Sequence, residues 1–192
     1  MLLLWDDIYC NYRRLKKQEM RYSLFPLLEN EFNCRIFFNG TQPREYKITS
    51  RSSGCCHLNE RVVIVRWRRD YLKTLNTLFH EVGHVSMHSI KKNEYRMYWR
   101  EIEADMVASA VFEILGLPQG KTDSYSYEKK QHLLEDSKRK IASNYRGPNV
   151  QYEPSMSHFN YDPIIRWDII ETIALRISDI CKFLTENPPL FC

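Results

Sequence analysis

The chain has no CxxC pair, no internal repeat and no low-complexity tract. It has no apolar run near the roughly 18 residues needed to cross a bilayer, so no membrane partner is expected. The opening stretch MLLLWDD lacks a basic n-region, an apolar h-region of sufficient length and a cleavage site. A cytoplasmic location is the expectation. Charge of one sign is also scarce: 28 Lys and Arg against 24 Asp and Glu leave a net charge of +4. That is too mild to indicate nucleic-acid binding by itself.

Cysteine is present but in no framework. Cys10, Cys34, Cys55, Cys56, Cys181 and Cys192 sit in a chain larger than a disulfide mini-protein, and free thiols are expected. Cys55-Cys56-His57 invites a metal reading. Adjacent cysteines cannot easily aim both sulfurs at one ion, which argues against it. The remaining composition is that of a globular protein, 192 residues with 43% apolar and 27% charged. This is enough for one domain with a real core, taken as residues 1–192.

Hydrophobic periodicity predicts an α+β fold, with a small, mostly antiparallel sheet early and helices afterwards. Residues 7–33 read mainly as helix, interrupted by Pro26. Residues 34–38 read as a short strand before the Asn39-Gly40 turn, and 45–49 as a second. Residues 55–58 and 61–67 read as a hairpin turning at Asn59-Glu60, with the β-branched run Val62-Val63-Ile64-Val65 suited to a buried strand. After Asp70, Leu72, Leu75, Leu78, Phe79 and Val82 recur at helical spacing. Further helices are expected over 98–115, stopping at Gly116-Leu117-Pro118, and over 127–145. Residues 149–162 read as loop. A C-terminal amphipathic helix over 163–186 carries Ile165, Ile169, Ile173, Leu175, Ile177, Ile180 and Leu184. That stripe reads as core, with docking of a partner as the alternative.

The helix after Asp70 contains His80-Glu81-Val82-Gly83-His84. Histidines four apart lie on one helical face, one turn apart, so both imidazoles can address one ion. Glu81 is then placed to reach a water on the metal rather than the metal itself. Gly83 lies mid-helix, where glycine costs about 1 kcal/mol against alanine; it suits close approach of another backbone. Catalytic zinc takes three protein ligands and keeps one position open. His88 cannot be the third, because eight helical residues rise about 12 Å; it reads as a neighbour of the site or a surface residue. Met87 and Ile90 stand where a metzincin needs glycine and histidine. The next acidic cluster is Arg100-Glu101-Ile102-Glu103-Ala104-Asp105. Glu101 and Asp105 share a face, whereas Glu103 is about 200° from Glu101. Glu101 is the economical third ligand, with Asp105 accepting a ligand histidine's remaining N–H; Glu103 is the alternative. Ala104 and Ala108 are small enough for this helix to pack close to Gly83.

TLFHEVGHVSMH followed by EIEADMVAS resembles the ImmA/IrrE family of zinc metallo-endopeptidases, a gluzincin-like pattern of HExxH and ExxAD. The closest resemblance is to the branch related to ArdC-type antirestriction proteins, through REIEADMVASAV, then Leu115-Gly116-Leu117, then Asp123-Ser124-Tyr125-Ser126-Tyr127. It covers residues 54–145 approximately. It implies a zincin-like fold with Zn2+ on His80, His84 and Glu101. It also implies a cytoplasmic endopeptidase cutting a regulator such as a repressor, with Glu81 as general base. Tyr125, with Tyr127 second, is the expected oxyanion donor. The strand at 55–58 is expected to pair with an extended peptide, and His158 is expected to stay away from the cleft. A binding protein of the antirestriction type, with a structural or vestigial metal site, is the competing expectation. Its nucleic-acid contacts would come from Arg61, Arg66, Arg68, Arg69, Lys138, Arg139 and Lys140, with Trp67 among them.

Overall fold

The computed structural model describes residues 20–49, 52–68, 70–88, 95–118 and 166–187, with positions 17 and 135 standing alone; of residues 95–99 it describes the backbone only. A π-helical turn, Met20–Leu24, runs into helix α1, Phe25–Phe32. Pro26 falls at the start of α1, where a missing N–H costs least. Asn33 ends α1 in the left-handed region (φ 44°), its N–H bonded to Glu29 O.

Three strands follow: β1 (Arg35–Phe38), β2 (Gly54–His57) and β3 (Val62–Val65). Their order is β1-β3-β2. All four residues of β3 are fully buried, as its β-branched composition predicts. β2 and β3 form the expected antiparallel hairpin, with Gly54 opposite Val65 and His57 opposite Val62. β1 runs parallel to β3, with Arg35 opposite Val62. The sheet is therefore mixed, not mostly antiparallel.

The reason lies in how α1 ends. Arg61 bonds Asn33 O through Nε (2.7 Å) and Phe32 O through Nη2 (2.6 Å). This pins the entry to β1 beside the entry to β3, so the two strands leave in one direction. The expected strand at 45–49 is also absent. Pro43 donates no hydrogen bond, and Tyr46 N–H closes a turn onto Pro43 O (3.1 Å), so this segment stays outside the sheet.

Helix α2 is Tyr71–Met87, capped by Asp70, whose carboxylate accepts from Lys73 N–H. Helix α3 is Tyr95–Ile114. It stops at Gly116 (φ 63°), with Leu117 N–H returning to Phe112 O (2.8 Å). Helix α4 is Trp167–Glu186 and packs mainly on α3, with further contacts to α2. One core joins all of these elements. Leu75, Leu78 and Phe79 of α2 and Ile102, Met106 and Phe112 of α3 are shut from solvent, each worth about 1.5–3 kcal/mol.

The buried stripe of α4 is Ile170, Ile173, Ala174, Ile177 and Cys181. Ile169 and Leu175, expected in that stripe, are 37% and 45% exposed. The helix is core, as expected, with Ile173 and Ile177 buried and Ile180 and Leu184 packed against the core. No helix among the described residues is long and apolar enough to cross a membrane. The expected helix 127–145 and loop 149–162 lie outside the described residues.

Candidate metal centre

The buried face of α2 carries Leu75, Leu78, Phe79 and Val82 and fixes the helix's rotation. That rotation points His80 and His84 toward α3. Gly83 allows α3 to come close. A Cβ there would lie 3.2 Å from Ala104 Cα and 3.2 Å from Val107 Cβ, tighter than ordinary contact. The approach expected from Gly83 and Ala104 is therefore present, and it brings Glu101 onto the two histidines.

His80 Nε2 and His84 Nε2 are 3.1 Å apart. Glu101 Oε2 is 3.3 Å from the first and Glu101 Oε1 3.3 Å from the second. The three donor groups lie within 4.8 Å of one another, close enough to hold a metal ion. A tetrahedral cation with bonds of about 2.0–2.1 Å holds neighbouring donors about 3.3 Å apart. The donor types and spacing fit such a cation. Burial alone would raise the Glu101 carboxyl, but hydrogen bonds and charge from His80 and His84 hold it well below the usual carboxylate range. The side chain of Glu101 is still 34% exposed, so the centre opens to solvent.

Glu81 is buried beside this group. Burial and the neighbouring Glu101 charge push its carboxyl up to about 7, against a lowering contribution from His84. It packs against β2. A Cβ on Gly54 would fall 2.7 Å from Thr77 Cγ2 and 2.8 Å from Glu81 Oε1, so only glycine leaves room for the Glu81 carboxylate at that point of the strand.

Glu103, the alternative ligand, is not at this centre. It accepts from Arg166 Nε (3.0 Å) and pairs with His88 Nε2 (3.1 Å). Hydrogen bonds from His88 and Arg166, with the Arg166 charge, overcome burial and hold its carboxyl down at about 2. His88 is buried, and its other nitrogen, Nδ1, lies 3.0 Å from His84 Nδ1. Arg166 completes the chain by donating from Nη1 to Met87 O (3.2 Å).

Proton positions follow from this network. Burial, the largest influence, disfavours the charged form of His88. A neutral His88 carrying its proton on Nε2 donates a hydrogen bond to ionised Glu103, and its Nδ1 is left as an acceptor. His84 Nδ1–H donates to it. The lone pair on His84 Nε2 then faces His80 and Glu101, in the tautomer a metal ligand needs.

His88 is the neighbour of the site that its place in the i, i+4, i+8 histidine stripe suggested, and it is buried rather than on the surface. Arg166 was missed: nothing local signals an arginine 78 positions further on. Asp105 is buried on α3. His84 has its second nitrogen on His88, so the role expected of Asp105 can concern only His80. Cys34, Cys55 and Cys56 are free thiols, as expected. Cys55 Sγ is 3.8 Å from His57 Nε2, but no cluster of metal ligands forms there among the described residues. Tyr125, Tyr127 and His158 lie outside the described residues, as do Arg69, Lys138, Arg139 and Lys140.

No family model, curated protein or solved structure matches this chain. The likeness to the zinc endopeptidases therefore rests on the motif residues themselves.

Proposed function

We propose that this chain is a zinc-dependent endopeptidase that cuts a regulatory protein, and that His80, His84 and Glu101 hold the zinc. The observation carrying this reading is the convergence of those three donor groups within 4.8 Å, beside a buried Glu81. A His-His-Glu set leaves a fourth position open, which suits catalysis better than a closed structural site. When bound, the zinc makes water at that position more acidic and polarises the scissile carbonyl. Glu81 takes the proton of the attacking water and returns it to the leaving amine. Burial raises this carboxyl in the metal-free chain, which favours its holding the proton between the two transfers.

Edge strand β2 passes Glu81 at Gly54, and an extended peptide pairing with its outer side would bring its backbone over the centre. Three of the basic residues of the competing nucleic-acid reading are described, and each is bonded within the chain. Arg61 and Arg66 bond carbonyls of their own chain, and Arg68 bonds Ser53 Oγ.

Elemental analysis after zinc repletion tests the metal, with about one zinc per chain expected. Glu81→Gln should keep that zinc and lower peptide hydrolysis about 10²–10⁴-fold. A repleted protein without zinc, or a Glu81→Gln variant cutting at the wild-type rate, ends this reading.

A further inference from the structure

A cleft of about 360 Å³ lies at the start of α2, lined by Ser53, Arg68, Lys73, Asn76 and Thr77, with Leu72, Phe112 and Pro118 forming apolar wall. It adjoins the metal centre. Thr77 is one helical turn, about 5.4 Å, before Glu81, and both side chains touch Gly54, the residue after Ser53. An extended peptide advances about 3.4 Å per residue. A side chain one or two residues from a bond held at Glu81 therefore falls over this cleft.

The cleft's chemistry is that of an anion acceptor. Asp70, also on its wall, is engaged: one oxygen accepts from Lys73 N–H and the other lies 3.6 Å from Lys73 Nζ. The Arg68 charge is left without a carboxylate partner among the described residues. One Arg68 nitrogen, Nη2, is held on Ser53 Oγ. Arg68 Nε and Asn76 Nδ2 are shut from solvent and have no acceptor among the described residues. The Arg68 guanidinium, fixed by one bond and without a carboxylate, together with the exposed Lys73 ammonium and an apolar wall for methylene groups, matches an acidic side chain.

We propose that this cleft is the subsite that selects an aspartate or glutamate beside the bond to be cut. The proposal rests on the hydrolase reading and names its substrate class. A mixed library of ten-residue peptides is the probe, used in two ways. The zinc-loaded chain digests it, and cut sites are mapped by mass spectrometry. Separately, the immobilised full chain carrying Glu81→Gln retains peptides without turnover.

Both measurements should show Asp and Glu enriched about tenfold over Asn and Gln at one position, the ratio a charge-assisted hydrogen bond supplies. Arg68→Gln should level that enrichment. Lys73→Glu, a change on an exposed side chain outside the core, should level or reverse it. Equal retention of acids and amides, no retention at all, or an enrichment that survives Arg68→Gln overturns the subsite. Acid-selective retention without any cutting by the zinc-loaded chain keeps the subsite and removes the hydrolase.

Discussion

Replacing His88 with alanine separates a metal-supporting role from simple packing. The side chain makes two buried bonds, 3.0 Å to His84 Nδ1 and 3.1 Å to Glu103. Removing it takes away the group that fixes the His84 tautomer. Loss of such an outer partner weakens metal binding about 10–100-fold, which is about 1.4–2.7 kcal/mol. The fold itself loses a hydrogen-bonded buried ring, at about 1–3 kcal/mol. The two effects are read separately: zinc affinity by competition with a chromophoric chelator, and stability of the metal-free chain by urea denaturation. Glu103→Gln keeps the shape but weakens the anchor behind His88, so its effect on affinity should be smaller in the same direction. A folded His88→Ala chain that binds zinc within twofold of the wild type would show that His84 needs no partner, and the relay argument would fail.

Gly54→Ala places a Cβ within 3 Å of Thr77 and Glu81. Peptide hydrolysis should fall at least about tenfold, because small misplacements of a catalytic group are costly, while zinc content holds and stability drops by about 1–3 kcal/mol; unchanged hydrolysis would mean that Glu81 is not held by β2. Burial, then the Glu29 charge, push the Cys34 thiol from 9.0 up to about 12, against a lowering contribution from Arg61. The unfolded thiol ionises first as pH rises, so its contribution is complete below about pH 9 and is lost toward pH 12, by about 1.4 kcal/mol per pH unit. Denaturation of reduced protein at pH 8, 9.5 and 11 should show at least that slope, since burial also raises the Cys55 and Cys56 thiols, and Cys34→Val should lower it by about that amount; parallel curves for the two proteins would refute the assignment.

The two helices of the candidate centre were legible in the sequence because the relevant signals are local. HExxH is a statement about one helical turn, Gly83 opposite Ala104 a statement about small residues, and the 54–65 hairpin a turn between two short runs. The direction of β1 was not legible. It depends on Arg61 reaching back to Phe32 and Asn33 across nearly thirty residues, and no alternation pattern encodes that. The face of α4 was legible in Ile173 and Ile177, but Ala174 and Cys181 are buried on it while Ile169 and Leu175 are exposed, because apolar type alone does not fix the edges of a helical stripe. Glu103 stayed an alternative ligand because two glutamates in one turn are equivalent in composition; helix geometry favoured Glu101, and the bonds of Glu103 to His88 and Arg166 hold it away from the centre.

That separation explains why the centre needs both acids. Glu101 and Glu103 are two residues apart and about 200° apart around α3, yet each serves a histidine of the same α2 stripe. Glu101 meets His80 and His84 at the open end, where its side chain keeps 34% exposure. Glu103 meets His88 at the closed end, where the last turn of α2 leaves carbonyls without helical partners. Arg166, just before α4, bonds one of those carbonyls, Met87 O, and also bonds Glu103. One arginine thus fastens the end of α2, the middle of α3 and the start of α4 at the point that orients His84. A cation at His80, His84 and Glu101 would close the other end of the same two helices, so the free energy of binding it and the free energy of docking α2 on α3 are linked.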